Sequence, residues 1–196
     1  MSELTKVELQ ELNDNSYELL KELVTPEGIY ASAQIGWQGP YHAWFGRDGA
    51  FTADFILASV EHGGDEALAN VALSALERFA NWQGKVNNRE TGEEIGKIPH
   101  EIRTEFSHVQ DIQHAVGTNE KPWFIDESDD TLKNWDTADG TPLWVLAVLR
   151  GSKRLEKELS PETADNLRSA LNWIIDSIEK GNGLVQFVGA GLQEGR

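Results

Sequence analysis

The sequence predicts an all-α fold, a double-layered array of helical hairpins. Three observations carry this expectation. Apolar residues recur at helical spacing in five segments. Ser/Thr–Pro pairs and glycines punctuate those segments where helices start and stop. No strong strand pattern stands against them, apart from "LVQFV" at 184–188. Amphipathic segments alternate with more apolar ones, as they do when inner helices are covered by outer ones.

The first segment, 3–24, sets Leu4, Val7, Leu12, Tyr17, Leu20, Leu23 and Val24 at roughly helical spacing, and "TPEGIY" ends it with a Pro and a Gly. The second runs over 48–62 and stops at Gly63-Gly64. Its Phe51, Phe55, Ile56 and Val60 leave few charges on any face, which predicts burial. The third, 65–82, carries Leu68, Val71, Leu73, Leu76 and Phe79.

Periodicity then fades over 83–139, a long polar connection broken by Gly84, Gly92, Gly96, Pro99, Gly117 and Pro122. Three tracts inside it, "IGKIPHEIR", "KPWFIDE" and "NWDTADGTPLW", are too aromatic for a disordered linker, so we read an active-face loop. Thr141-Pro142 reads as an N-cap and first-position pair opening a fourth helix, nearly all apolar in its first two turns. Ser160-Pro161 repeats the device for a fifth helix over 162–180, closed by Gly181.

The bulk properties narrow the function. A length of 196 residues fits one domain, 1–196, with its own core. The net charge of -16, from 33 acids against 17 bases, sets nucleic acid and anionic membrane aside as partners, because both would be repelled. A neutral or cationic ligand meets no such penalty. With no cysteine there is neither a disulfide framework nor a thiolate metal site. The start "MSELTKVELQELNDN" lacks the basic and apolar regions of a signal peptide, and "LWVLAVL" is too short to span a bilayer. We therefore expect a cytoplasmic protein. The seven tryptophans suit a core, and also suit stacking on sugars or cations.

Chemistry collects in three places. In "PYHAWFGRDGAF", Arg47 and Asp48 follow Trp44 and Phe45 at the mouth of a helix. They read either as a surface ion pair at a helix start or as a fork of donors and acceptors for adjacent sugar hydroxyls, with Trp44 as an apolar wall. "IGKIPHEIR" offers His100, Glu101 and Arg103 beside a rigid Pro99, although Glu–Arg pairs on loops are commonplace. "NWDTADGTPLW" sets Asp136 and Asp139 before the fourth helix, where one of them could simply cap it. "IDESDD" lacks the glycine and the distal glutamate of a helix–loop–helix calcium site and reads as a solvated acidic loop. The five histidines (42, 62, 100, 108 and 114) show no zinc-ligand spacing. No GxSxG, phosphate loop or GxGxxG occurs, so serine-hydrolase, nucleotide-binding and dehydrogenase chemistry find no support.

Taken together, "AWFGRDGAF", "GKIPHEIR" and "DTADGTPLWVLAV" resemble, in the same order, motifs of the glucoamylase-like and glycogen-debranching (amylo-α-1,6-glucosidase) glycoside hydrolases. The resemblance spans roughly residues 26–150. It implies an (α/α)6 toroid, six inner helices ringed by six outer ones, of which this chain would form the N-terminal portion, with about five helices. It implies that Arg47 and Asp48 hold hydroxyls of the sugar at the cleavage subsite with Trp44 beside them. His100 and Glu101 would line the same pocket, and Asp139 with Trp135 would close another wall. The substrate would be an α-linked glucose oligo- or polysaccharide, hydrolysed with inversion and without a cofactor.

Inverting hydrolysis needs an acid and a base about 6.5–9.5 Å apart. In such relatives both lie beyond the tracts matched here, so the resemblance assigns neither catalytic carboxylate to this chain. The expectation is therefore a glycosidase fragment that holds substrate. The alternative is a non-catalytic helical module that binds carbohydrate or protein, and another α/α-toroid enzyme, an epimerase or lyase, is a third reading. Apolar inner helices left uncovered would favour self-association.

Overall fold

The computed structural model describes residues 5–26, 28–32, 42–103, 124–126, 131–181, 183 and 185. Among the described residues five helices appear in chain order: α1 (Lys6–Leu23), α2 (Gly46–Ser59), α3 (Glu66–Phe79), α4 (Gly140–Arg154) and α5 (Pro161–Lys180). Short 3-10 turns, Val60–His62 and Ala80–Trp82, extend α2 and α3. The described chain is mostly helical, as the periodicity predicts. It is not purely so.

Four short strands, β1 (Trp44–Phe45), β2 (Glu101–Arg103), β3 (Phe124–Asp126) and β4 (Thr131–Asn134), form an antiparallel sheet in the order β1-β2-β4-β3. Trp44 pairs with Ile102, Glu101 with Asn134, and Ile125 with Leu132. This sheet corrects the all-α expectation and the reading of 83–139 as loop alone. Strands of two to four residues are too short for their alternation to register as a pattern. Of the expected strand at 184–188, all but residue 185 lies outside the described residues, as do His108, His114 and residues 127–130 of the acidic loop.

The helix ends show where side-chain chemistry decides. Ser160 caps α5 by accepting from the Thr163 N–H, as its sequence predicts. The same device is not used at α4. There Asp139 takes the cap position, and Thr141 Oγ1 accepts from the Ile98 N–H instead, tying α4 to the loop before β2.

The core lies between α2, α3 and α4. α2 presents Gly46, Gly49, Ala50, Ala53, Ile56 and Leu57 inward. At the contact, a Cβ on Gly151 of α4 would stand 2.6 Å from Leu57 Cδ1, so the Leu57 tip would have to move for any larger residue. Trp144 is fully buried and donates from Nε1 to the Leu76 carbonyl at 2.8 Å. Each such buried Leu or Val contributes about 1.5–3 kcal/mol. The expectation that α2 is buried all round is corrected: Phe51 and Phe55 point to solvent. Close helix packing selects the small-residue face, which forces the two large rings outward.

The segment between α3 and β2 is sewn to α5. Gln83 Nε2 donates to the carbonyls of Gly96 and Asn166 at 2.9 Å. Lys97 is fully buried; its ammonium donates to the Gly92 carbonyl, pairs with Glu94 at 3.7 Å and lies 5.9 Å from the Trp173 ring centre. These contacts hold "GKIPHEIR" rigidly against the helices, which positions the residues described next.

Candidate functional site

The tract "AWFGRD" builds a corner. Trp44 and Phe45 are extended and hydrogen-bonded into the sheet, and the chain turns directly into α2 at Gly46. Only glycine fits there, because a Cβ would strike the Pro99 carbonyl oxygen. The Gly46 N–H donates to the His100 carbonyl at 2.9 Å, and the His100 N–H donates to the Asn134 carbonyl at 2.7 Å. Three tracts distant in sequence are thereby pinned backbone to backbone.

α4 begins at the same corner. A Cβ on Gly140 would lie 3.8 Å from the Arg47 nitrogen, so α2 and α4 start side by side. The Arg47 guanidinium bridges the two starts, 3.8 Å from the Asp48 carboxylate and 3.7 Å from that of Asp139. Asp139 also accepts from the Thr137 hydroxyl. All three charged side chains are about half exposed. Ion pairs of that kind contribute about 0–1 kcal/mol, so stability does not explain the cluster.

His100 stands behind it, its ring edge-on to Phe45 at 5.5 Å. Burial, then the Arg47 charge, hold its pKa below the usual histidine value, while Asp48, Asp139 and Asp136 oppose the shift. The ring is therefore neutral at pH 7, one nitrogen donating and the other accepting. Its Nδ1 is buried and has no hydrogen-bond partner among the described residues.

The other sequence-predicted residues part company with this cluster. Trp44 turns to the opposite face of the sheet from Phe45, as period-two alternation demands. It packs in the core against Trp82 at 4.9 Å and Tyr30 at 5.6 Å. Glu101 is buried and ion-paired with the buried Arg103 on the same strand face. Burial pushes its pKa up to about 7, against the pull of Arg103. Trp135 is also buried, and its Nε1 has no hydrogen-bond partner among the described residues.

Two residues that the sequence analysis names without assigning to the site also contribute. Phe45, not Trp44, is the ring at the site, a choice that only strand alternation makes. Buried Asp136 acts on the charge of both His100 and Lys97, linking the surface cluster to the interior. Its signal in sequence was only its place in "NWDTADG".

Chemically the corner combines a forked cation, two carboxylates and a neutral imidazole at two helix starts. Donors and acceptors are balanced, which matches a neutral polyhydroxyl ligand better than an anion. Among the described residues no cluster of His, Asp or Glu could hold a metal ion, and no helix is long and apolar enough to cross a membrane. No protein-family model, curated protein or solved structure matches the chain.

Proposed function

We propose that the corner holds a glucose unit of an α-linked oligo- or polysaccharide, as the substrate-gripping part of a glycoside hydrolase of the glucoamylase or glycogen-debranching type. The observation that carries this reading is the meeting of Arg47, Asp48, His100 and Asp139, from three separate tracts, at one solvent-open corner. The Arg47 pairs exceed ordinary hydrogen-bond length, so hydroxyls can enter between the charges. Vicinal sugar hydroxyls each donate and accept, and a guanidinium fork beside two carboxylates serves both needs. Phe45 offers an apolar edge to the C–H face of the ring.

In this reading the chain's own residues bind and orient. Arg47 and the carboxylates fix the hydroxyls, His100 contributes one more donor or acceptor, and the backbone pins keep the corner rigid as substrate arrives. Glu101 is held by Arg103 and takes no part in the grip. The (α/α)6 toroid belongs to the same proposal. It is supported by α2 and α4 running parallel, with their starts together and Asp54 joined to Arg150 and Arg154 further along.

The test is heat of binding for glucose, maltose and an acarbose-type inhibitor. Saturable binding that disappears in Arg47→Ala supports the reading at residue level. A folded chain that releases no heat with any of the three sinks it.

A further inference from the structure

Large exposed apolar side chains collect on the solvent face shared by α2 and α4, an unusual place for them in a strongly acidic chain. Phe51 is 49% exposed, Phe55 76%, Leu146 45% and Leu149 44%. On α2, Phe51 and Phe55 follow Arg47 by about one and two turns; on α4, Leu146 and Leu149 follow the cap residue Asp139 by about two and three turns. The two stripes face the same way, because Arg150 of α4 reaches Asp54 of α2 across the groove between them at 2.9 Å.

We infer that this face is the contact between two copies of the chain, packed antiparallel about a twofold axis. Two quantities point to a second copy as the occupant. The first is area. At about 150–250 Å² per aromatic side chain, the open parts of Phe51 and Phe55 come to roughly 250 Å². The two leucines bring the patch to about 400 Å², within the range of the largest and often functional apolar patch on a protein surface. A stable interface of about 800 Å² per partner, a little over half apolar, needs roughly that much.

The second is charge. At the helix starts, Asp48 and Asp139 outnumber Arg47. At the other end the bases Arg150, Lys153, Arg154 and Lys157 are balanced by the acids Asp54, Glu61, Glu156 and Glu158. Antiparallel packing brings the acidic end of one copy against the balanced end of the other, where Lys153 is exposed, with the helix dipoles opposed. A parallel arrangement would set like ends together. The same geometry carries the last turn of the partner's α4 over the sugar-binding corner, so association and ligand access are coupled. The contact does not depend on the sugar reading.

Sedimentation of the full chain from about 1 to about 100 μM tests this. The expected result is a mass rising from 21.8 kDa to twice that value and stopping there. Phe55→Gln abolishes the rise. Ile175→Gln, on the separate apolar stripe of α5, leaves it intact, and Lys153→Glu weakens the dimer by about tenfold. Melting curves of the three variants confirm that each is folded. A single 21.8 kDa species throughout overturns the inference. So does growth past the dimer, or a dimer lost in Ile175→Gln but kept in Phe55→Gln.

Discussion

Arg47 Nη1 lies 3.7 Å from Asp139 Oδ2, across the starts of two helices separated in the chain by α3 and most of the sheet. Neither residue has a partner that would make it a stability device, since both side chains are about half exposed. The pair is held by what lies beneath it, the Gly46-to-His100 and His100-to-Asn134 backbone bonds.

Arg47→Ala should therefore leave folding almost unchanged, within about 0.5 kcal/mol, while removing sugar binding. Paired calorimetric titration and chemical denaturation check this. A loss of stability above about 2 kcal/mol would make Arg47 a structural residue instead.

Gly46→Ala should do the opposite. Its Cβ would strike the Pro99 oxygen and stand 3.2 Å from Ile98 Cγ2 at a buried corner. The expected cost is about 2–4 kcal/mol, because backbone rather than a mobile side chain must yield. Urea denaturation measures it, and a cost under 1 kcal/mol would mean that the corner is looser than described.

Glu101 sets a pH dependence whose sign follows from its burial. Its pKa is raised to about 7 in the folded chain from 4.5 in the unfolded one. The folded state thus holds the proton more tightly between those values. Stability from this group is fully present below pH 4.5 and is lost as pH rises through 7. Relative to Glu101→Gln, the native chain should lose up to about 1.4 kcal/mol per pH unit across that window. Melting both proteins from pH 4 to 8 gives the difference curve, and parallel curves would refute the assignment.

Lys97 sets a dependence of opposite sense. Burial lowers its pKa to about 8 from 10.5, with Glu94 and Asp136 opposing. Between those values the unfolded chain binds more protons, so stability from Lys97 rises with pH there and is least below 8. Removing the ammonium and its stem in Lys97→Ala should cost about 3 kcal/mol, by taking the cation from Glu94, which keeps its Trp173 Nε1 donor, and by unpacking Trp173. Hydrogen exchange over 83–98 should then accelerate, showing that the segment has come away from α5.

The five helices were legible because each carries enough turns for a period to show, and because Ser160-Pro161 and the glycines mark ends by local chemistry. The residues that meet at the corner were legible as three tracts, through their mixture of charged and aromatic residue types. What the sequence alone determined was this local inventory: periodicity, caps, charge balance and the residue types in "WFGRD", "PHEIR" and "DTADG". Only the tertiary structure decided which of them face one another. Strands of two to four residues write no pattern, yet their alternation sends Phe45 toward His100 while Trp44 enters the core and Glu101 pairs with Arg103. Close packing at Gly151 turned the small side of α2 inward and left Phe51 and Phe55 in solvent. Orientation of this kind depends on which neighbour a side chain meets, and that information is shared between distant segments rather than held by any one of them.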